Sequence, residues 1–311
     1  MNERGKAIGK DYGLTARMIF TGFMLALTYV ALFGILLISG LPFELVIIMG
    51  IGMVFFQYFF SDKLVLKTTG AKVVSNTEEP KLHEIMERLS REAGIPKPKN
   101  IAVMEIDVPN AFATGRSPKH ATVAVTRGLI NRLNGEELEA VLGHELAHVK
   151  NRDVAVMTWA SLIVVIAGYL MQMMFWMSLF GGFGGGHRRE GGGQIWAMLM
   201  MAYVGIIIIY FVSQMLTMAL SRYREYAADR DGAIITGAPQ ALASALQKIS
   251  GQIAMIPEKD LRQVEHANAF FIVPALQGMS IASMMSSHPS TESRVERLME
   301  IQRNNWHILS R

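Results

Sequence analysis

Val141-Leu142-Gly143-His144-Glu145-Leu146-Ala147-His148-Val149 reads H-E-x-x-H inside a helical pattern. Two histidines four residues apart on a helix lie about 40° apart around its axis, so both imidazoles reach one metal ion with the glutamate beside it. The helix signals around the motif are strong. Asn134 followed by Glu137 reads as a capping box, Glu136 and Glu139 place negative charge in the first turns, and Leu138, Val141, Leu142, Leu146 and Val149 form one apolar stripe. Glu145 points from within that stripe, where an amphipathic helix with no other role would not leave an unpartnered carboxylate. The chain has no cysteine, so a metal here must use histidine and carboxylate ligands.

Outward from the motif, the chain is that of a membrane protein. It has 311 residues, 51% hydrophobic and only 18% charged, with a positive mean hydropathy of +0.27. Four apolar runs, 18–39, 43–60, 154–180 and 195–220, approach or exceed the roughly 18 residues needed to cross a hydrocarbon core. The first is too long, and too soon followed by a second, for a cleaved signal peptide. Net charge is +4, but no basic run is interleaved with aromatics. That argues against nucleic acid and for a lipid bilayer as partner.

Arg4, Lys6, Lys10 and Arg17 precede the first run, and Lys63, Lys67 and Lys72 follow the second, which places both ends of this hairpin in the cytoplasm. Arg188 and Arg189, in the glycine-rich connection 181–193, oppose this topology but are outnumbered; His187 beside them reads as a solvated loop histidine. The chain thus divides into four segments: 1–62, tail and first hairpin; 63–153, soluble and carrying the motif; 154–220, second hairpin; 221–311, soluble again.

In the first soluble segment Pro80 opens a helix that Gly94 stops, with Leu82, Ile85, Met86 and Leu89 on one face. Two strands are expected, 101–106 and 121–126, joined by a loop containing 109–115. An edge strand above the motif helix suits an extended peptide, with Asn110 and Ala111 offering backbone and side-chain hydrogen bonds; alone, Asn110 reads as a turn residue. The fourth run ends at Leu220 and leads directly to Glu225, on the side where the third run began. Catalytic zinc usually takes three protein ligands, and Glu225 fills the place the histidines leave. Asp229, one turn on, is placed to accept the free N–H of His144. Read in isolation, Glu225 would be a surface carboxylate among arginines. Further on, Leu242, Leu246 and Ile249 mark a helix, 252–287 reads as a flap containing a structural His266, and the stretch 287–294 gives an N-capped last helix with His288 just before the cap.

With these pieces placed, the chain resembles the HtpX family of membrane-embedded zinc metalloproteases, relatives of the prenyl-protein (CAAX) protease. The likeness rests on H-E-L-A-H at His144 to His148, S-R-x-x-E-x-x-A-D from Ser221 to Asp229, P-N-A-F from Pro109 to Phe112, and S-H-P-S-T-x-x-R from Ser287 to Arg294. It implies a mainly α membrane protein with four transmembrane helices and a gluzincin-like domain holding a small β-sheet. It implies one zinc per chain on His144, His148 and Glu225, with Glu145 as catalytic base and His288 and Arg294 helping to hold the reacting carbonyl. It further implies polypeptide substrates, damaged or misassembled membrane proteins, cut at the cytoplasmic face of the cell membrane. In soluble gluzincins the third ligand follows the second histidine closely; here the second hairpin separates them. The alternatives are a prenyl-protein endoprotease sharing the site, and a non-catalytic metal-binding membrane protein. Against a transporter, no span carries a run of ionisable residues at mid-depth.

Overall fold

The computed structural model describes residues 10–39, 48, 50–52, 55, 59, 64–179, 192–253 and 288–309. Most of the second apolar run, residues 180–191 of the glycine-rich connection with His187, and 254–287 with His266 lie outside them, and with them the readings of a fourth span, a linker and a flap. In chain order the elements are α1 (Tyr12–Ser39), β1 (Lys72–Val73), α2 (Pro80–Ala93), β2 (Asn100–Met104), β3 (Ala111–Thr114), β4 (Thr122–Thr126) and α3 (Arg127–Arg132). After these come α4 (Gly135–Asn151), α5 (Asp153–Leu179), α6 (Gly192–Thr236), α7 (Pro239–Ile253) and α8 (Thr291–Leu309). The protein is thus mainly helical with a small mixed sheet. It divides into two compact units, one of Thr15–Tyr58 and Val156–Leu220, the other of Met1–Leu14, Phe59–Ala155 and Ser221–Arg311.

The first unit is built from apolar helices. Among the described residues three helices, α1, α5 and α6 from Ala197 on, are long and apolar enough to cross a membrane. The 28 residues of α1 span about 42 Å at ~1.5 Å per residue, more than the ~30 Å of a hydrocarbon core. Leu25, Leu32 and Leu36 of α1 pack with Ile163, Ala167, Leu170 and Met174 of α5 and Ile206 and Ile209 of α6, each set at helical spacing. Ile19, Phe20, Val30 and Phe211 face outward, as suits a lipid solvent. Between helices the Tyr29 hydroxyl donates to the Trp159 carbonyl (2.7 Å) and Thr217 to Ala160 (3.1 Å).

The second unit centres on the sheet, with strand order β1-β2-β4-β3. β2 and β4 run parallel, while β1 and β3 pair antiparallel with β2 and β4 respectively. Strand periodicity divides the side chains between two cores. Ile101, Val103, Ala111, Val123 and Val125 meet α2 and α4 on one face. Ala102, Met104, Phe112 and Ala124 meet Val65 on the other. The expected loop at 109–115 therefore contains a strand: Ala111–Thr114 pairs with Thr122–Val125 and forms one edge of the sheet. The alternation is too short to read from sequence, and only pairing with β4 reveals it. α2 begins with Pro80 at its first turn and ends on Gly94 in the left-handed region (φ 69°).

The approach of α4 to α6 depends on two glycines. A Cβ on Gly232 would lie 2.9 Å from the backbone N and Cα of His144, and one on Gly143 would lie 2.5 Å from the Thr236 methyl. Glu225, Asp229, Gly232 and Thr236 recur at i, i+4, i+7 and i+11, so one face of α6 carries both the contact and the carboxylates. Gly232→Ala is expected to lower stability by about 1–3 kcal/mol, as overpacking does, because backbone rather than a side chain must move. Gly251→Ala, where a Cβ meets nothing within 4 Å in α7, should instead raise it by about 0.5–1 kcal/mol. Thermal unfolding of the two variants checks the contrast.

Candidate active site

The motif helix is fixed at its start. Asn134 accepts from the Glu137 N–H (2.9 Å), and the Glu137 carboxylate accepts from the Asn134 N–H (3.0 Å), completing the capping box. The same carboxylate accepts from Ser244 (2.7 Å) and Lys248 (2.8 Å) of α7, so the cap also ties two helices together. Two turns on, His144 and Glu145 are buried and His148 is partly buried. The two imidazoles meet edge to face with their Nε2 atoms 3.1 Å apart.

Glu225 closes the third side. Its Oε2 lies 3.6 Å from His144 Nε2 and its Oε1 3.6 Å from His148 Nε2. One donor atom from each of these three residues falls within 4.8 Å of the other two. The outer nitrogens of both rings face carboxylates: His144 Nδ1 lies 3.0 Å from Asp229 Oδ1, and His148 Nδ1 lies 2.6 Å from Asp153 Oδ2. Each contact favours a proton on Nδ1 and leaves the Nε2 lone pair for an ion. Two such lone pairs 3.1 Å apart repel one another unless a proton or a cation lies between them. With both imidazoles neutral, as metal ligands must be, the charge balance agrees: Glu145, Asp153, Glu225 and Asp229 are four buried carboxylates against two arginines, Arg294 and Arg224. The donor set therefore fits a divalent cation.

Electrostatics in the metal-free site follow from burial. Burial alone would push the His144 imidazolium down, but hydrogen bonding to Asp229 and Glu225 outweighs it and raises the pKa from 6.5 to about 9. His148 is lowered, by burial first and then by repulsion from His144. Glu145 is raised because burial disfavours its charge more than the two histidines restore it. A carboxylate so shifted is a better proton acceptor than an exposed one.

The remaining residues singled out from the sequence fall into two groups. His288 comes to the ligand set, its Nδ1 3.4 Å from Glu225 Oε1. Arg294 lies behind that set, where a substrate contact was expected: at 1% exposure, its Nε and Nη2 donate to the two oxygens of Asp229 (2.9 and 2.6 Å), and its Nη1 is 3.4 Å from Glu225 Oε2. Two buried carboxylates side by side require such a counterion. Asn110 does not offer its backbone to a peptide. Its N–H donates to Thr126 Oγ1 (2.9 Å), and its carbonyl accepts from the Thr126 N–H (2.9 Å) and hydroxyl (3.1 Å). Ala111 opens the edge strand β3, which packs on α4. The sequence reading missed Asp153, five residues after His148. Its one signal is a carboxylate directly after the motif helix.

Comparison with known proteins assigns the chain to a family. The description "Peptidase family M48" matches residues 76–302. The chain is 49% identical to a protease HtpX homolog of Moorella thermoacetica over 96% of this chain and 97% of that protein. It is 50% identical to protease HtpX homolog 2 of Methanosarcina acetivorans over 94% and 97%. Among solved structures, S. mikatae Ste24p superposes with a TM-score of 0.54 over 91% of this chain and 67% of that one; at 17% identity this is a likeness of fold. Family description, relatives across nearly the whole length and three apolar helices together make this chain a member of peptidase family M48, a multi-pass membrane metalloprotease of the HtpX group.

Proposed function

We propose that the chain is a zinc endopeptidase that cuts damaged or misassembled membrane proteins at the cytoplasmic face of the cell membrane. The observation that carries this reading is the convergence of His144, His148 and Glu225 with a carboxylate behind each histidine. Two histidines and a glutamate are a catalytic zinc set. Held by His144, His148 and Glu225, zinc would supply Lewis acidity to the scissile carbonyl and to the attacking water.

The chain's own groups do the rest. Glu145, buried beside both histidines, takes the water's proton and passes it to the leaving amine. His288, against Glu225, donates to the oxyanion as it develops, a role worth about 2.7–4 kcal/mol for a single donor. The edge strand β3, beginning at Ala111, takes the substrate as an added strand, with the Asn110 side chain at its head. Asp229 orients His144, and Arg294 balances Asp229 and Glu225. The cytoplasmic assignment rests on the basic residues flanking the first hairpin. A fourth span at 43–60 and a gluzincin-type arrangement complete the reading.

Two measurements test it. Glu145→Gln should retain one zinc per chain and lose about 10²–10⁴-fold in cleavage rate of an unfolded membrane reporter; full, chelator-sensitive activity in this variant would remove Glu145 from the chemistry. Cleavage confined to a farnesylated peptide would point instead to the prenyl-protein reading. The second concerns protons. Because His144 is raised from 6.5 to about 9, its protonation stabilises the metal-free protein fully below pH 6.5, and that stabilisation is lost as pH rises through about 9. The same proton competes with the metal, so zinc affinity should climb about tenfold per pH unit through this window and level off above it. Calorimetric titration in buffers of different ionisation enthalpy should register release of one proton at neutral pH.

A further inference from the structure

We propose that Asp153 is a second positioning carboxylate of the metal centre, orienting His148, and that Arg224 holds it in place. This rests on the reading that His144, His148 and Glu225 bind the metal.

The spacing itself argues for a purpose. Five residues along a continuous helix would turn Asp153 about 140° away from His148. Instead α4 ends at Arg152, which adopts φ 54°, ψ 41° and is the one non-glycine residue with positive φ among the described residues. Such a conformation is disfavoured for a residue that carries a Cβ and persists where the surroundings impose it. Its result is that Asp153, buried at 6% exposure, returns its Oδ2 to within 2.6 Å of His148 Nδ1.

Arg224 completes the arrangement. Its guanidinium lies against Asp153 and donates to the Asn151 carbonyl (2.9 Å) at the end of α4. Arg224 immediately precedes Glu225, so one turn of α6 delivers a ligand and, beside it, the cation that holds the orienting group of another ligand. The site thus contains the same construction twice. His144 is backed by Asp229 and Arg294, and His148 by Asp153 and Arg224. A carboxylate on Nδ1 fixes the tautomer and strengthens Nε2 as a donor, and loss of such a partner typically weakens metal binding by about 10–100-fold.

A competing role for Asp153 is to cap α5, which it opens. The test therefore uses Asp153→Ser, since serine caps helices as well as aspartate but offers no carboxylate. Zinc affinity of the full-length protein in detergent is measured by chelator competition, together with the visible spectrum of the cobalt-loaded form and the thermal midpoint of the metal-free form. Asp153→Ser should bind zinc about 10–100-fold more weakly with an altered cobalt spectrum, and Asp153→Asn, which keeps a neutral acceptor, should lose less. Arg224→Gln should also weaken binding, and the double variant Asp153→Ser with Arg224→Gln should be no weaker than Asp153→Ser alone. Zinc affinity within about twofold of wild type in Asp153→Ser, or a lowered thermal midpoint with unchanged affinity and spectrum, overturns the proposal, as does additivity of the two changes. Glu225→Gln separates this from the underlying reading: if wild type binds no zinc, or Glu225→Gln binds it undiminished, the metal site itself is misassigned.

Discussion

The backbone contact between α4 and α6 is the constraint on which the site depends. Gly232 lets α6 come against the backbone of His144, and no longer side chain at that position could do so without moving one helix. Once that distance is set, the helical repeat places Asp229 one turn away and Glu225 two turns away, at His144 and between the two histidines. The ligand set is therefore positioned by packing of helices with defined ends. The capping box at Asn134 fixes one of those ends.

Burial then determines the electrostatics. Four carboxylates, two histidines and two arginines occupy a region with little water, where removing one member of a pair costs far more than the pair contributes. Arg294 illustrates this. The family resemblance implies a residue that helps hold the reacting carbonyl; in the structure its buried guanidinium faces two neighbouring carboxylates of α6 and offsets part of their charge. Its five donors in a planar fork also suit the two oxygens of Asp229 in a way lysine would not.

Much of this was legible in the residues and some of it was not, for identifiable reasons. The capping box, the proline start and glycine stop of α2, and the apolar faces of α7 and α8 are local signals that need no tertiary information. The H-E-x-x-H pair is legible because both histidines share one helix. Asp153 was hidden because its contact with His148 needs a left-handed residue at 152, and arginine gives no hint of one. β3 was hidden because four residues define a strand only when a partner is present. Gly143 and Gly232 were hidden because a helical glycine reads as a mere weakness until the backbone it touches is known.

The single left-handed residue between α4 and α5 makes the phase of one helix a function of the other's length. Each inserted or deleted residue in 149–153 would rotate the start of α5 by about 100°, carrying the Asp153 carboxylate off His148 and breaking its contact with Arg224. Substitutions there alter a contact, whereas changes of length desynchronise two helices. The segment should therefore be invariant in length wherever this metal centre is retained, even where its side chains differ.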